Sequence, residues 1–177
     1  MYRLKDEYPK HYNKIKLIIR QIAPFFDDFI LIPNKDYILL KYKEIGSDIE
    51  FGAFRLSDGT LRFMALATLL IQPKEKMPAI IIIDEPELGL HPVAIDKLAS
   101  LLITASRYSQ IFITTQSERL LNNFEAENII VVSREKEIGN NRYYSDFRQL
   151  NKEELETWLA EYSLSQIWES NIIGGRP

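Results

Sequence analysis

The run of isoleucines that ends in two acids, residues 79–85, most constrains what this chain can fold into. Ala79 and four isoleucines are followed at once by Asp84 and Glu85. So short a continuous run of β-branched residues predicts a parallel strand that is covered on both faces. In open α/β sheets, ligands bind at the carboxyl ends of such strands. The run therefore predicts an α/β fold with two carboxylates at a ligand-binding edge.

Helical and strand-like segments alternate on both sides of this run. Their order predicts a doubly wound α/β arrangement with right-handed crossovers. The segments, in chain order, are a helix over 61–71, the strand over 79–83, a helix over 92–106, a strand over 110–115, a short helix over 117–124 and a strand over 128–133. A helix over 8–23 and two strands, DDFILIP and DYILLKY, precede them, and an edge strand, RYYSDFRQL, and a helix capped by Asn151 with Glu154 follow.

Composition excludes several classes of function. The chain has 177 residues, 46% of them hydrophobic, which is enough for one core, and its net charge of −3 gives no overall attraction to nucleic acid. It has no cysteine, and its two histidines, His11 and His91, lie far apart, so disulfides, thiolate chemistry and a histidine-based metal site are not expected. The amino terminus is polar and no apolar run is long enough for a membrane span, so we expect a cytoplasmic protein without a membrane partner.

The two acids have a plain interpretation and a chemical one. In the plain one, Asp84 and Glu85 only end the strand and solvate the turn. In the chemical one, strand alternation sends the two side chains in different directions. Asp84 then holds Mg²⁺ directly or through water, and Glu85 faces an attacking water, as nucleotide hydrolysis requires.

The residues that continue the strand favour the chemical interpretation. The sequence IIIIDEPELGLHP resembles the Walker B strand and D-loop of ABC-type ATPases of the SMC, RecF-like and OLD-like branch. The resemblance implies that Asp84 binds magnesium and that Glu85 is the general base or orients the water. It also implies that Leu88, Gly89 and His91 lie in a loop that crosses a dimer interface.

A second motif, LSDGTLR, lies upstream, with its serine 27 residues before Asp84. Ser57, Asp58 and Gly59 stand at a predicted helix amino terminus, where free N–H groups favour an anion, although an ordinary helix cap explains them equally. The motif resembles the ABC signature LSGGQ, with Asp58 in place of the first glycine and Thr60 in place of the glutamine. The resemblance implies contact with the γ-phosphate of ATP held by the opposite subunit. The Asp58 charge must then point away or be paired, for example with Arg62.

A third motif is the polar corner after the strand over 110–115. Ser117 can cap the following helix, whereas Gln116 has no comparable structural role. By position Gln116 resembles the switch residue of ABC ATPases, which in many of them is a histidine that senses the γ-phosphate. A glutamine donates a hydrogen bond but takes up no proton near neutral pH, so we expect polar sensing during catalysis.

The longer resemblance is to the carboxyl-terminal half of bacterial predicted ATPases of the AAA_21 or AbiEii-toxin-like kind. It implies a partial P-loop NTPase fold with the Walker A lobe missing, in which 1–50 are the remainder of an amino-terminal lobe and 51–177 form the carboxyl-terminal lobe. None of the seven glycines begins G-x-x-x-x-G-K-[ST], the loop that cradles phosphates. We therefore expect either a part of a longer ATPase or a protein that completes a Walker A-bearing partner, and expect this chain alone to be inactive.

The leading hypothesis is an ATP-hydrolysing head with ATP and Mg²⁺ as cofactors. It would act as a homodimer or with a Walker A-bearing partner lobe, and its switching would be coupled to DNA or to a nuclease partner. The alternatives are a non-catalytic dimerisation or regulatory module and a toxin or antiphage defence effector. Simple metal-dependent hydrolysis is disfavoured, since it would need further carboxylates that converge on a second ion.

Overall fold

The computed structural model describes residues 1–137 and 141–175. These residues form two compact units, Met1–Thr115 and Gln116–Pro177. The units are defined by packing, whereas the predicted division at residue 51 concerns the lobes of an ATPase and stays a prediction.

The first unit begins with two helices and an antiparallel sheet. The predicted helix over 8–23 and both predicted strands are confirmed, whereas the short helix before them was not predicted. The elements are α1 (Tyr2–Glu7), α2 (Pro9–Ile22), β1 (Phe26–Pro33), β2 (Ile38–Glu44) and β3 (Glu50–Gly52). The strand order is β1-β2-β3, with antiparallel pairing throughout. Pro9 is the first residue of α2, where its missing N–H leaves no helix bond unmade.

Helix α2 packs against β1 through a closed apolar layer. Ile15 and Ile19 are fully buried, as the helical spacing of the isoleucines predicts. The rings of Phe26 and Phe29 lie 4.6 Å apart between their centroids, and Tyr42 on β2 is also buried. These aromatic side chains therefore belong to the core of the unit.

The second half of this unit contains the predicted parallel strands and two helices. Its elements are α3 (Asp58–Leu70), β4 (Ile80–Asp84), α4 (Pro92–Ala105) and β5 (Gln110–Thr114). β4 and β5 pair in parallel, in a register that sets Asp84 opposite Thr114. Helices α3 and α4 pack against each other, and the middle of each is buried.

One face of the β4–β5 sheet is bare in this chain. Ile81 is only 5% exposed, but Ile80 is 55% and Ile82 76% exposed. Phe112, opposite Ile82 on β5, is 45% exposed. The prediction of a strand covered on both faces is therefore wrong for this chain taken alone, because the residues described bury one face only.

The second unit is a hairpin with three helices. Its elements are α5 (Glu118–Leu121), β6 (Ile130–Lys136), β7 (Tyr143–Gln149), α6 (Lys152–Leu159) and α7 (Leu164–Glu169). The RYYSDFRQL segment is antiparallel, as predicted, and its partner is β6. Asn151 caps α6 as expected by accepting from the Glu153 N–H at 2.9 Å, but the reciprocal capping box forms at Ser163 and Gln166 of α7. A small core supports the unit: Ala126, Leu150, Leu155, Leu164, Ile167 and Ile173.

Within residues 1–137 and 141–175, every helix is too short or too polar to cross a bilayer.

Candidate functional site

The predicted carboxylates lie at the carboxyl edge of the β4–β5 sheet. Asp84 ends β4, Thr114 ends β5 opposite it, and the Thr114 hydroxyl donates a hydrogen bond to Asp84 Oδ1. Asp84 is exposed and, by strand alternation, lies on the same face as the exposed Ile80 and Ile82. The sheet therefore presents an oriented carboxylate beside a bare apolar face.

Glu85 adopts a backbone conformation that is unusual for its residue type. Its φ is 41°, in the left-handed region that favours glycine, and such a conformation costs on the order of 1–3 kcal/mol. Its N–H donates to the Thr114 carbonyl at 3.1 Å. Its carbonyl accepts from the Leu88 N–H at 3.2 Å and from Arg62 Nη1 at 3.1 Å. The chain thus turns sharply out of the strand at the second acid, and hydrogen bonds to β5, to α3 and within the loop itself hold that turn.

Glu87 is a site residue that the sequence analysis missed. Its Oε1 accepts a hydrogen bond from the Thr115 hydroxyl, so the loop is fastened to the end of β5. Its Oε2 is buried and, among the described residues, has no hydrogen-bond partner. A third acid two positions after Glu85 was the available signal, but nothing in the sequence distinguishes a buried acid from a solvated one in such a loop.

Gly59 lies against the loop that follows β4. A Cβ built on Gly59 would stand 2.1 Å from the Gly89 carbonyl oxygen, which no side chain tolerates. Gly89 itself has a φ of 77°, which a glycine adopts without strain. In this structure, therefore, the need for glycine at 59 comes from the close approach of another segment of the chain.

The first turn of α3 is capped by Ser57, whose side chain accepts from the Thr60 N–H at 3.2 Å. Asp58 is exposed in that turn. Of the two arrangements expected for Asp58, pairing with Arg62 is not found among the described residues, because Arg62 donates instead to the carbonyl of Glu85. The structure thus confirms the helix amino terminus, and among the residues it describes Asp58 forms no ion pair.

His91 and Leu88 occupy the rest of the loop. His91 is the N-cap of α4, with Nδ1 accepting from the Val93 N–H at 3.3 Å. Leu88 is 57% exposed. The placement of Leu88, Gly89 and His91 at a dimer interface stays a prediction.

Gln116 is the first residue of the second unit and is exposed. Ser117 caps α5 by accepting from the Leu120 N–H at 3.2 Å, as the sequence allowed. The proposed sensing role of Gln116 stays a prediction.

The fold is similar to that of SMC head domains. One similar chain comes from a study of ATP-driven dimerization and DNA-stimulated activation of SMC ATPases: 19% identity, TM-score 0.56, covering 85% of this chain and 89% of that one. Another is the Pyrococcus furiosus Smc head domain with an extended coiled coil, bound to the C-terminal domain of ScpA: 19% identity, TM-score 0.60, 87% and 38% covered. A third is the Thermotoga maritima SMC head domain: 15% identity, TM-score 0.52, 84% and 50% covered. The chain thus has a P-loop NTPase-like fold, and it spans half or less of the last two chains.

The family follows from the sequence. Residues 4–122 match the AAA_21 family, described as "AAA domain, putative AbiEii toxin, Type IV TA system", and because this is more than half of the chain, the protein belongs to that family. No curated protein matches the sequence. Family and fold together support an ATPase-type, nucleotide-binding function.

Proposed function

We propose that this protein supplies one part of a composite ATP-hydrolysing site at the carboxyl edge of β4 and β5. The observation that carries the proposal is the pair of consecutive acids at that edge, with Glu85 turned out of the strand at a φ of 41°. Backbone conformations of this cost persist where the surrounding structure enforces them, and they cluster at active sites.

The residues at the edge fit a magnesium ion. Mg²⁺ in proteins is usually bound by one or two carboxylates together with waters and substrate phosphates. It is rarely enclosed by protein ligands alone. Asp84 is exposed and oriented by Thr114, and the described residues contain no cluster of three or more histidine or acidic side chains. When bound, the ion would neutralise charge on the phosphates. Asp84 is therefore the residue that would hold it.

Glu85 is the residue proposed to act on the attacking water. Its side chain is partly buried, and its main chain is fixed by hydrogen bonds to Thr114, Leu88 and Arg62. A carboxylate carried on such a fixed main chain, next in sequence to a magnesium-binding aspartate, can orient a water or accept its proton. Gln116 would add a hydrogen-bond donor that responds to the γ-phosphate.

The bare face of the β4–β5 sheet supports a site completed by another lobe. The motif G-x-x-x-x-G-K-[ST] does not occur in the sequence, so the groups that normally cradle phosphates must come from elsewhere. Ile80, Ile82 and Phe112 form an apolar surface that leads directly to Asp84. A lobe that covered this surface would bring its phosphate-binding loop to the carboxylates.

Dimerisation would use the amino terminus of α3 and the loop that follows β4. In this proposal Ser57, Asp58 and Gly59 contact ATP held by a second head, and Leu88, Gly89 and His91 lie at the interface between the heads. Similar chains come from work on ATP-driven dimerization and DNA-stimulated activation and from a complex with ScpA, which supports an output through DNA or a protein partner. A nuclease as that partner is part of the proposal on the sequence resemblance alone. The proposed location of such a protein is the cytoplasm.

One observation favours a second candidate, a non-catalytic dimerisation or regulatory module. Asp58 replaces a glycine of the signature, is exposed, and has no ion pair among the described residues. A carboxylate beside a γ-phosphate would repel it. The two candidates differ in whether ATP is turned over.

The test is magnesium-dependent ATP hydrolysis by this chain, alone and mixed with a lobe from the same genome that carries G-x-x-x-x-G-K-[ST]. We expect no turnover by the chain alone and turnover in the mixture. Ser57→Arg should abolish turnover by blocking the α3 amino terminus, whereas Ser106→Arg, on the exposed end of α4, is the matched control and should not. Turnover that is indifferent to Ser57→Arg would contradict the composite site.

A further inference from the structure

We propose that Arg62 is a positioning residue for Glu85: its guanidinium, carried on α3, holds the Glu85 carbonyl and so sets the direction of the carboxylate. The proposal rests on the proposed function, because it concerns the acid that would act on water. Arg62 was expected to serve Asp58 and is instead committed to a residue 23 positions away along the chain.

Two restrictions make the Glu85 peptide costly to hold. First, Glu85 is not a glycine, yet its φ is 41°. Second, Glu85 precedes Pro86, and a residue before proline has a narrower range of allowed backbone conformations. A peptide in such a conformation relaxes unless other groups fix it. The groups that fix it therefore also decide where the carboxylate stands.

Of the two hydrogen bonds described to the Glu85 carbonyl, the one from Arg62 comes from another part of the fold. The Leu88 N–H, 3.2 Å from the Glu85 carbonyl, belongs to the same loop. Arg62 Nη1 reaches that carbonyl at 3.1 Å from the second turn of α3. A hydrogen bond from a charged donor is stronger than one between neutral groups. The Arg62 bond therefore holds the Glu85 carbonyl more strongly than the bond from the Leu88 N–H does.

A second contact joins the same helix to the same loop. Gly59, one turn before Arg62, approaches the Gly89 carbonyl so closely that no Cβ fits between them. The amino terminus of α3 and the loop from Glu85 to Gly89 are thus joined at two points. A displacement of α3 would therefore be transmitted to Glu85 through Arg62.

Enzyme kinetics test the positioning role in the mixture of this chain with the P-loop lobe. We expect Arg62→Ala to lower kcat roughly ten- to hundredfold with little change in KM for ATP, since misplacing a catalytic group slows the chemical step. Arg62→Lys, which keeps a charged donor, should recover part of the loss. Arg107→Ala, an exposed arginine of the same unit, is the matched control and should leave kcat unchanged.

Carbon-13 and amide NMR of the isolated chain separates this proposal from the proposed function. Arg62→Ala should shift the Glu85 carbonyl and Leu88 amide signals, Arg62→Lys should shift them less, and Arg107→Ala should not shift them, with thermal unfolding unchanged to within a few degrees. A wild-type mixture without ATP turnover would overturn the proposed function, and the carbonyl signal would then decide alone whether Arg62 holds Glu85. Unshifted signals, or a kcat for Arg62→Ala equal to that of Arg107→Ala, would overturn the positioning role.

Discussion

The two sheets of the first unit differ in how far their apolar and acidic side chains are buried or paired. In the β1–β2–β3 sheet, Phe26 is fully buried under α2, and Asp28 accepts hydrogen bonds from the Tyr12 hydroxyl at 2.6 Å and from Lys16 at 3.1 Å. In the β4–β5 sheet, Ile82 is 76% exposed and Asp84 stands at an open edge. The first sheet thus buries this aromatic residue and pairs this acid within the chain, although the ends of β1 and β2 next to their connecting turn are exposed. The second sheet exposes both its isoleucine and its acid.

The difference indicates what each sheet is for. Buried apolar groups and paired acids stabilise a fold, whereas an exposed apolar face beside an acid and a strained peptide stabilises nothing in this chain alone. Proteins retain such features where a ligand or partner uses them. The comparison therefore assigns stability to the first sheet and supports the proposed function for the second.

The largest expected contrast lies between two isoleucines. Ile19→Ala in α2 should lower the free energy of unfolding by about 2–5 kcal/mol, because Ile19 is fully buried. Ile82→Ala should change it by no more than about 0.5 kcal/mol, since the side chain is exposed. Urea denaturation of both variants measures the difference. Equal losses would show that the β4–β5 face is covered in the isolated chain and would remove the basis of the comparison.

A smaller contrast lies between two glycines. Gly59→Ala should cost about 1–3 kcal/mol, because its Cβ would collide with the Gly89 carbonyl oxygen and force the loop to shift. Gly46→Ala is the control: its Cβ meets nothing within 4 Å, so only its φ of 77° opposes the change. Denaturation gives the stabilities, and the Glu85 amide signal reports the loop. A loop signal that moves as much in Gly46→Ala as in Gly59→Ala would contradict the contact.

The smallest expected effect depends on pH. Burial alone would raise the pKa of Asp28, but hydrogen bonds from Tyr12 and Lys16 and the charge of Lys16 outweigh it and hold that pKa below its usual value. The stability from Asp28 is therefore present above the unfolded pKa of about 3.9 and is lost as pH falls through the lower folded pKa.

Asp28→Asn should accordingly be less stable than wild type at pH 7, with a gap that narrows as the solution is acidified toward pH 3. Asp36→Asn, an exposed acid in the turn between β1 and β2, is the matched control and should differ little from wild type at either pH. Urea denaturation at the two pH values makes the comparison. A gap that widens on acidification would show that Asp28 is not held in its charged form.

Hydrophobic period and turn residues predicted most of the elements. The spacing of isoleucines predicted α2, the unbroken apolar run predicted β4, and Pro92 after His91 marked the start of α4. These signals are local, because each depends on residues within a few positions of one another. The edge of the sheet was predictable for the same reason, since both acids directly follow the strand.

The features that local signals did not predict depend on other parts of the chain or lie outside it. The positive φ of Glu85 could not be predicted from the sequence, because the usual sign of a positive φ is a glycine and this residue is a glutamate. Side chains four residues apart are neighbours on a helix, which made Arg62 a candidate partner for Asp58. In the structure Arg62 donates instead to the carbonyl of Glu85, in the loop after β4. The bare face of β4 could not be predicted, since a run of isoleucines shows that a face needs covering and not which chain covers it.

The central claim is that Asp84 and Glu85 complete a magnesium- and ATP-dependent site only when another lobe supplies the phosphate-binding loop. The most direct measurement is the rate of ATP hydrolysis, with and without magnesium, for the chain alone, for its mixture with that lobe, and for the mixture with Glu85→Gln. The account predicts turnover only in the magnesium-containing wild-type mixture, and a loss of roughly 10²- to 10⁴-fold with Glu85→Gln. Magnesium-dependent turnover by the purified chain alone that Glu85→Gln abolishes would contradict it.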